Sequence, residues 1–319
     1  MTKNTNIKFT WAMRFHAWWE GYDVADMVAK LGHQQTETRI ERLPESPENF
    51  LSVVKRVPWT KIRIQLTQLV WGEGYCGPGG PDNVIKMTKF LNLSSEKSIV
   101  VIGAGLGGPA RTLVEKYGVW VDGYESSEAL AQEGMKMSVS LGLEKKAQII
   151  HKDLNNIYNI SRSYDCFFSK EALFTVKNKP QLLKAIYDSL KPNGLFLFTD
   201  FILRDAICLQ NPSVQEWVQQ EPHKPYPFIS ENVVKELEQC GFSVRANEDI
   251  TKDYLGLVAR AWGNAEQLVK DLVEKGEDAR ESLKTVAKEA KFWERRKKIM
   301  NSGDLRVMRY LVLKKPQIK

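Results

Sequence analysis

The sequence has little that would tie it to a metal, a disulfide framework or a membrane span. Its four cysteines, Cys76, Cys166, Cys208 and Cys240, stand far apart and form no Cys-x-x-Cys pair. That excludes the usual structural zinc spacing and predicts a reducing compartment. The four histidines, His16, His33, His151 and His223, show no ligand spacing either, so no metal is expected. No apolar run approaches the ~20 residues a spanning helix needs. The N-terminal residues carry no signal-peptide core, and a cytoplasmic address is expected. Internal repeats, low-complexity tracts, zinc fingers and RNA-recognition signatures are absent, so nucleic acid is not an expected partner. What remains is ordinary for a globular chain of 319 residues, 43% hydrophobic and 27% charged.

Charge is unevenly spread. The net +7 lies entirely from Lys252 to Lys319, and residues 1–251 are balanced. The excess centres on Arg295-Arg-Lys-Lys298 and Lys314-Lys315, which reads first as the solvated face of a helix and second as a site for an anionic surface. Near the other end, Trp11, Phe15, Trp18, Trp19 and Tyr22 fall on one helical face. This stripe reads as core or as a lid. Peripheral membrane contact is not favoured, because only Lys3, Lys8 and Arg14 flank it.

The chain divides into three regions: a helical extension over 1–65, an alternating strand–helix region over 66–250, and a helical cap with a closing strand over 251–319. Strands are expected near 98–103, 119–125, 147–151, 164–169, 194–200 and 242–248. Helices are expected near 108–117, 127–141, 180–190 and 230–240. Lys191-Pro-Asn-Gly194 reads as a turn that launches a strand, and 201–229 as an irregular insert. Alternation of this kind predicts an α/β fold with a mostly parallel sheet covered on both faces. Leu305–Leu313 alternates like a strand reached by a long detour. That fits the reversed last strand of a Rossmann-like, seven-stranded class I methyltransferase sheet.

The most informative stretch is Ile99-Val-Val-Ile102 breaking into Gly103-Ala-Gly-Leu-Gly-Gly108. Glycines permit a tight turn and a close backbone approach, and the following helix offers its positive end. A nucleoside-bearing cofactor is expected. Gly103, Gly105 and Gly108 satisfy the dinucleotide spacing, while Gly103, Gly105 and Gly107 satisfy the tighter loop of S-adenosylmethionine enzymes. Glu125, twenty residues past Gly105, is placed to accept ribose hydroxyls in either class. Asp153 ends the third strand, where a carboxylate can accept the adenine amino group. Ser126 and Leu154 adjoin these two acids and complete the expected cofactor set with Ser169 and Lys170, which leave the fourth strand beside Glu171. Trp71-Gly-Glu-Gly-Tyr-Cys-Gly-Pro-Gly-Gly-Pro81 is a stiff loop suited to closing over a cofactor.

At these residues the chain resembles the phosphoethanolamine methyltransferases and their relatives among class I small-molecule methyltransferases, from about Leu69 onward. Gly72-Glu-Gly-Tyr75 with Gly79-Gly80 is similar to that family's cofactor-covering loop. Gly103–Gly108, Ser169-Lys-Glu-Ala172, Leu190-Lys-Pro-x-Gly194, Thr199-Asp200, Trp293 and Gly303-Asp304 match further segments. The glycine loop, Glu125, Asp153 and the late closing strand together point to S-adenosylmethionine as cofactor. The resemblance implies a small-molecule substrate and makes Tyr75 the counterpart of the family's catalytic tyrosine, expected to orient the methyl acceptor. An amine must arrive neutral, so a base is needed, and Glu171 is the candidate. Phe174, Phe201 and Arg204 are the further substrate candidates, and Trp71, Phe174, Phe201 and Trp217 are candidates for an aromatic cluster. Three departures stand out. Thr175 replaces the family's histidine, Phe201 replaces a tyrosine directed at substrate phosphate, and Gln219–Pro225 lacks the expected arginine and tyrosine. A phosphate needs charge-assisted donors. The expected reaction is therefore methylation of a small non-phosphorylated acceptor, an amine first of all. A lipid or quinone acceptor at a membrane surface and a non-catalytic cofactor-binding module are the alternatives. No sequence signal bears on oligomeric state.

Overall fold

Ile99, Val100, Val101 and Ile102 are all fully buried, as befits a strand covered on both faces. They form β1 (Ser98–Ile102). Period-two alternation sends Ile99 and Val101 into one apolar cluster and Val100 and Ile102 into another. The sheet therefore separates two cores. The computed structural model describes residues 58–263 and 265–315. The Trp11–Tyr22 stripe and most of the 1–65 extension lie outside the described residues.

The chain enters through α1 (Lys61–Trp71) and α2 (Gly80–Thr88) and then reaches β1. Next come α3 (Gly108–Tyr117), β2 (Trp120–Glu125), α4 (Glu128–Ser140), β3 (Ala147–His151) and β4 (Tyr164–Lys170). After them run α5 (Lys179–Ser189), β5 (Leu190–Leu203), α6 (Pro212–Gln220), the short β6 (Phe228–Ile229), α7 (Ser230–Gln239) and β7 (Phe242–Asp249). Three helices, α8 (Thr251–Ala261), α9 (Ala265–Glu274) and α10 (Ala279–Asn301), precede β8 (Leu305–Lys314).

Spatial order in the sheet is β3-β2-β1-β4-β5-β8-β7, with β6 beside β5. β8 runs antiparallel to both of its neighbours, from Leu195 opposite Leu313 to Leu203 opposite Leu305 on the β5 side. The other pairings are parallel. This is the class I methyltransferase fold, with the reversed strand where the alternating 305–313 pattern predicts it. Chain direction along the sheet switches between β1 and β4, so their carboxyl ends frame the crevice where such sheets bind ligands.

Two expectations need correction. The 201–229 insert is not wholly irregular. Asn211 accepts from the Ser213 amide as an N-cap and Pro212 sits at the first helical position, so α6 forms and buries Val214 and Trp217. Its proline and glutamines hide a helical spacing of apolar residues. The Lys191–Gly194 turn is absorbed into β5 instead. Tyr164 pairs with Leu190 and Cys166 already with Leu195, so the four residues between bulge out, with Asn193 at φ 64°.

Candidate active site

The glycine loop takes the shape its composition predicts. Gly103, Gly105 and Gly107 have φ of 71°, 57° and 80°, a region costly for residues with a Cβ. A Cβ on Gly103 would lie 2.2 Å from the Ala172 Cβ, and one on Gly107 2.8 Å from Ile149 Cδ1. Glu125, at the end of β2, reaches back to the loop. Its two carboxylate oxygens accept the amides of Gly105 and Ser127, each at 2.8 Å. Burial pushes this carboxyl above the usual range, against the pull of those amides. A carboxylate offers about four acceptor positions, so some acceptor capacity remains beyond these amides.

Ser126 and Leu154 are brought together: the Ser126 hydroxyl accepts the Leu154 amide at 3.2 Å. Asp153 stands beside them, exposed, its oxygens taking the Asn155 amide at 3.0 Å and the Asn156 side-chain amide at 2.6 Å. Ser169 is fully buried and donates to the Ile102 carbonyl at 3.2 Å. Its hydroxyl therefore joins β4 to β1.

The loop after α1 lies across the glycine loop. The Gly108 amide donates to the Gly74 carbonyl at 2.8 Å, and a Cβ on Gly105 would meet Cys76 Sγ at 3.1 Å. Arg111, three residues past the glycine loop, clamps the assembly from below. It donates to the Leu106 carbonyl at 2.8 Å and to the Gly134 carbonyl at 3.1 Å. Tyr75 departs from the expected arrangement. It is buried, and its hydroxyl lies 2.6 Å from that of Thr112 on α3. Burial pushes this phenol up to about 12. In this position the hydroxyl ties the covering loop to α3.

A second polar centre sits at the end of β4, beside Thr199 of β5. Glu171 has φ 45°, unusual for a residue that is neither glycine nor asparagine and a mark of stored strain. Its carboxylate binds Lys170 Nζ at 2.7 Å and accepts the Thr199 hydroxyl at 2.6 Å. The buried Tyr254 phenol faces the same carboxylate, which together with burial pushes it well above its ordinary range. A Cβ on Gly77 would meet Lys170 Nζ at 3.7 Å and Glu171 Oε2 at 3.9 Å. The covering loop thus touches both centres.

The aromatic candidates do assemble. Phe174 meets Phe201 edge-on at 4.9 Å and stacks with Trp217 at 6.4 Å, while Trp71 packs on Trp293 at 4.7 Å. A cation already lies among them: the Arg296 guanidinium, 4.6 Å from the Trp293 ring and 5.3 Å from that of Phe201. This corrects two expectations. The Arg295–Lys298 run is not simply a solvated face, because α10 turns the Arg296 side chain inward, against Glu221 and these rings. Arg204 turns outward instead, pairing with Asp205 at 2.9 Å and Asp304 at 3.2 Å. Tyr254 and Arg296 carried no signal in the sequence, since their helices are joined to the site only by tertiary packing. Shallow depressions lined by Gln132, Met135 and Val139, and by Trp120, Arg162 and Lys191, hold none of the predicted site residues.

Comparison with known proteins gives this arrangement a lineage. Phosphoethanolamine N-methyltransferase 1 of Zea mays is 24% identical over 212 residues, which cover 66% of this chain but only 41% of that protein. The Plasmodium falciparum phosphoethanolamine N-methyltransferase is 26% identical, over 68% of this chain and 78% of its own length. The chain spans under half the length of the plant relatives it matches. Among solved structures, Haemonchus contortus phosphoethanolamine N-methyltransferase 2 in complex with S-adenosyl-L-methionine superposes with a TM-score of 0.68 at 20% identity, over 84% of this chain and 60% of that one. The cyclopropane synthase MmaA2 of Mycobacterium tuberculosis gives 0.66 at 13% identity, over 80% and 95%. Both share the fold. The family described as mycolic acid cyclopropane synthetase matches residues 83–288, well over half of the sequence, and the chain belongs to that family.

Proposed function

We propose that this chain is an S-adenosylmethionine-dependent methyltransferase acting on a small non-phosphorylated amine. The observation that carries the reading is the pairing of a left-handed glycine turn at the end of β1 with the buried Glu125 carboxylate at the end of β2. These two features fit an adenosyl group: a cradle that any Cβ would fill, and a carboxylate with lone pairs left for ribose hydroxyls. Gly103, Gly105, Gly107, Glu125, Ser126, Asp153 and Leu154 would hold the cofactor. The relatives named above, several of them phosphoethanolamine N-methyltransferases, support the same reaction class.

When bound, S-adenosylmethionine supplies a methyl group on a positively charged sulfur, which leaves as the neutral thioether once an acceptor's lone pair takes the methyl carbon. The chain's own work is alignment and proton handling. Alignment alone contributes roughly 7–11 kcal/mol in well-oriented systems. An amine must present a free lone pair, so some group has to hold and then accept its proton. Glu171 is that group. Lys170 and Thr199 fix its carboxylate, and Tyr254 closes the far side. Its strained backbone is consistent with a position kept for chemistry rather than for stability. Calorimetry on the full chain tests the cofactor: saturable binding of S-adenosylhomocysteine and none of NADH is expected, and the reverse result defeats the reading. Labelled methyl transfer to a panel of small amines, with phosphoethanolamine included, tests the acceptor. Brisk transfer to phosphoethanolamine contradicts the acceptor class.

A further inference from the structure

The Arg296 side chain is turned inward and only 14% exposed, and no apolar contact can neutralise a guanidinium. Its charge is met by Glu221, itself 4% exposed and placed just after α6. Arg296 Nε donates to Glu221 Oε2 at 3.1 Å, and Nη2 donates to Oε1. The Trp217 indole donates to Oε2 at 2.6 Å. Both carboxylate oxygens are thus held in the forked geometry that a guanidinium offers to any carboxylate or phosphate.

This pair belongs to the acceptor side of the site. Phe201, 5.3 Å from the guanidinium, lies two residues beyond Thr199, whose hydroxyl holds Glu171. Phe174, 6.0 Å from it, lies three residues beyond Glu171 itself. Tyr254 joins both ends, facing the Glu171 carboxylate and meeting Phe201 edge-on at 5.9 Å. Two cations, Lys170 and Arg296, are therefore matched by two internal carboxylates, Glu171 and Glu221. A neutral amine entering between them leaves that balance intact. A phosphorylated or carboxylated acceptor brings negative charge to a place where Lys170 and Arg296 are both already paired, in a region where desolvated charge is costly.

We propose that Arg296 is the anion-recognition arm of the acceptor site and that Glu221 occupies it from within, so that Glu221 sets specificity against anionic acceptors. The proposal rests on the methyltransferase reading above. The test compares the full-length wild type with Glu221→Ala and with Glu221→Ala/Arg296→Met. Calorimetric titration with sodium acetate and with inorganic phosphate, in chloride buffer, should show saturable binding only in the single variant. Labelled methyl transfer to phosphoethanolamine should rise at least about tenfold in that variant, the scale of one regained bond to a charged group. Absence of anion binding in Glu221→Ala, or anion binding with no gain in transfer, overturns the proposal. Should Glu221→Ala be recovered unfolded, it is refolded in acetate and in chloride. Recovery in acetate alone supports an emptied anion site, and equal failure in both overturns it. S-adenosylhomocysteine binding by the wild type is measured alongside. Its absence defeats the methyltransferase reading, while the anion titration still decides whether Arg296 is an occupied anion site.

Discussion

The two halves of the site are built from different materials. At the ends of β1 and β2, the proposed cofactor cradle is largely backbone: glycine amides and a left-handed turn, with one side-chain carboxylate held by two amides. Around the end of β4 and the neighbouring stretch of β5 they are side chains drawn from five segments, Lys170–Glu171, Thr199, Glu221, Tyr254 and Arg296. A backbone cradle tolerates few residue types but does not change with the ligand's companion. A side-chain centre can be rewired one residue at a time. The contrast predicts that one half is fixed by sterics, and that acceptor choice resides in the other.

The largest effect should come from breaking the cradle. Gly103→Val forces a Cβ against Ala172 at a φ of 71°, and the combined left-handed strain and overpacking should cost roughly 2–5 kcal/mol. Thermal unfolding and S-adenosylhomocysteine titration should both register it. A variant that melts and binds like the parent would show that the cradle is not rigid. Glu125→Ala comes next. It strips the carboxylate from two loop amides and from any ribose, and cofactor affinity should fall by about 1.5–3 kcal/mol. Unchanged affinity by calorimetry would remove Glu125 from the site.

That division also explains what was legible. The glycine loop, Glu125 and each predicted strand could be read because their determinants are local: a period-two apolar run, a glycine spacing, a fixed distance to the next strand's end. The reversed β8 was legible for the same reason. The acceptor side was only half legible. Ser169–Ala172 marks the right strand end and Thr199-Asp200 the strand beside it, but no local pattern says that Arg296, within a basic helical run, turns inward while Arg204 turns out. Whether an arginine turns inward depends on a carboxylate 75 residues away in sequence, which periodicity does not encode. Tyr75 shows the converse. The loop motif was clear, yet the direction of its hydroxyl was set by Thr112 on another helix.

A third prediction probes the other face of β5, where the sheet buries charge instead of presenting it. Asp200 is fully buried, and its carboxyl is pushed up to about 8 by that burial, only partly countered by the nearby Lys179. Lys179 is lowered to about 8 for the same reason, while its ammonium donates to the Val176 carbonyl at 2.7 Å. The unfolded chain releases the Asp200 proton near pH 4, whereas the native chain keeps it to about 8. Stability from this group is therefore present at low pH and lost as pH rises across that window. Asp200→Asn should flatten the fall in melting temperature between about pH 4 and 8. An unaltered pH profile would mean that the carboxylate is ionised and compensated in the native state.

The smallest effect is expected at Tyr75, and it decides between two roles for one residue. As an acceptor-orienting hydroxyl, it should matter chiefly in the transition state, so that Tyr75→Phe lowers kcat while leaving cofactor binding alone. As a strut, the same substitution removes one buried hydroxyl–hydroxyl bond at 2.6 Å and leaves Thr112 to find another acceptor. That should cost about 0.5–1.5 kcal/mol of stability, with kcat nearly unchanged. The observed geometry favours the strut. Burial holds the phenol at about 12, so it stays protonated through neutral pH and cannot serve as a base there. Thermal unfolding and turnover measured on the same Tyr75→Phe preparation separate the two roles. A small loss of melting temperature with full turnover makes Tyr75 the hinge-pin of the covering loop, whereas a large fall in kcat at constant stability would require the loop to reposition its hydroxyl over the acceptor during the reaction.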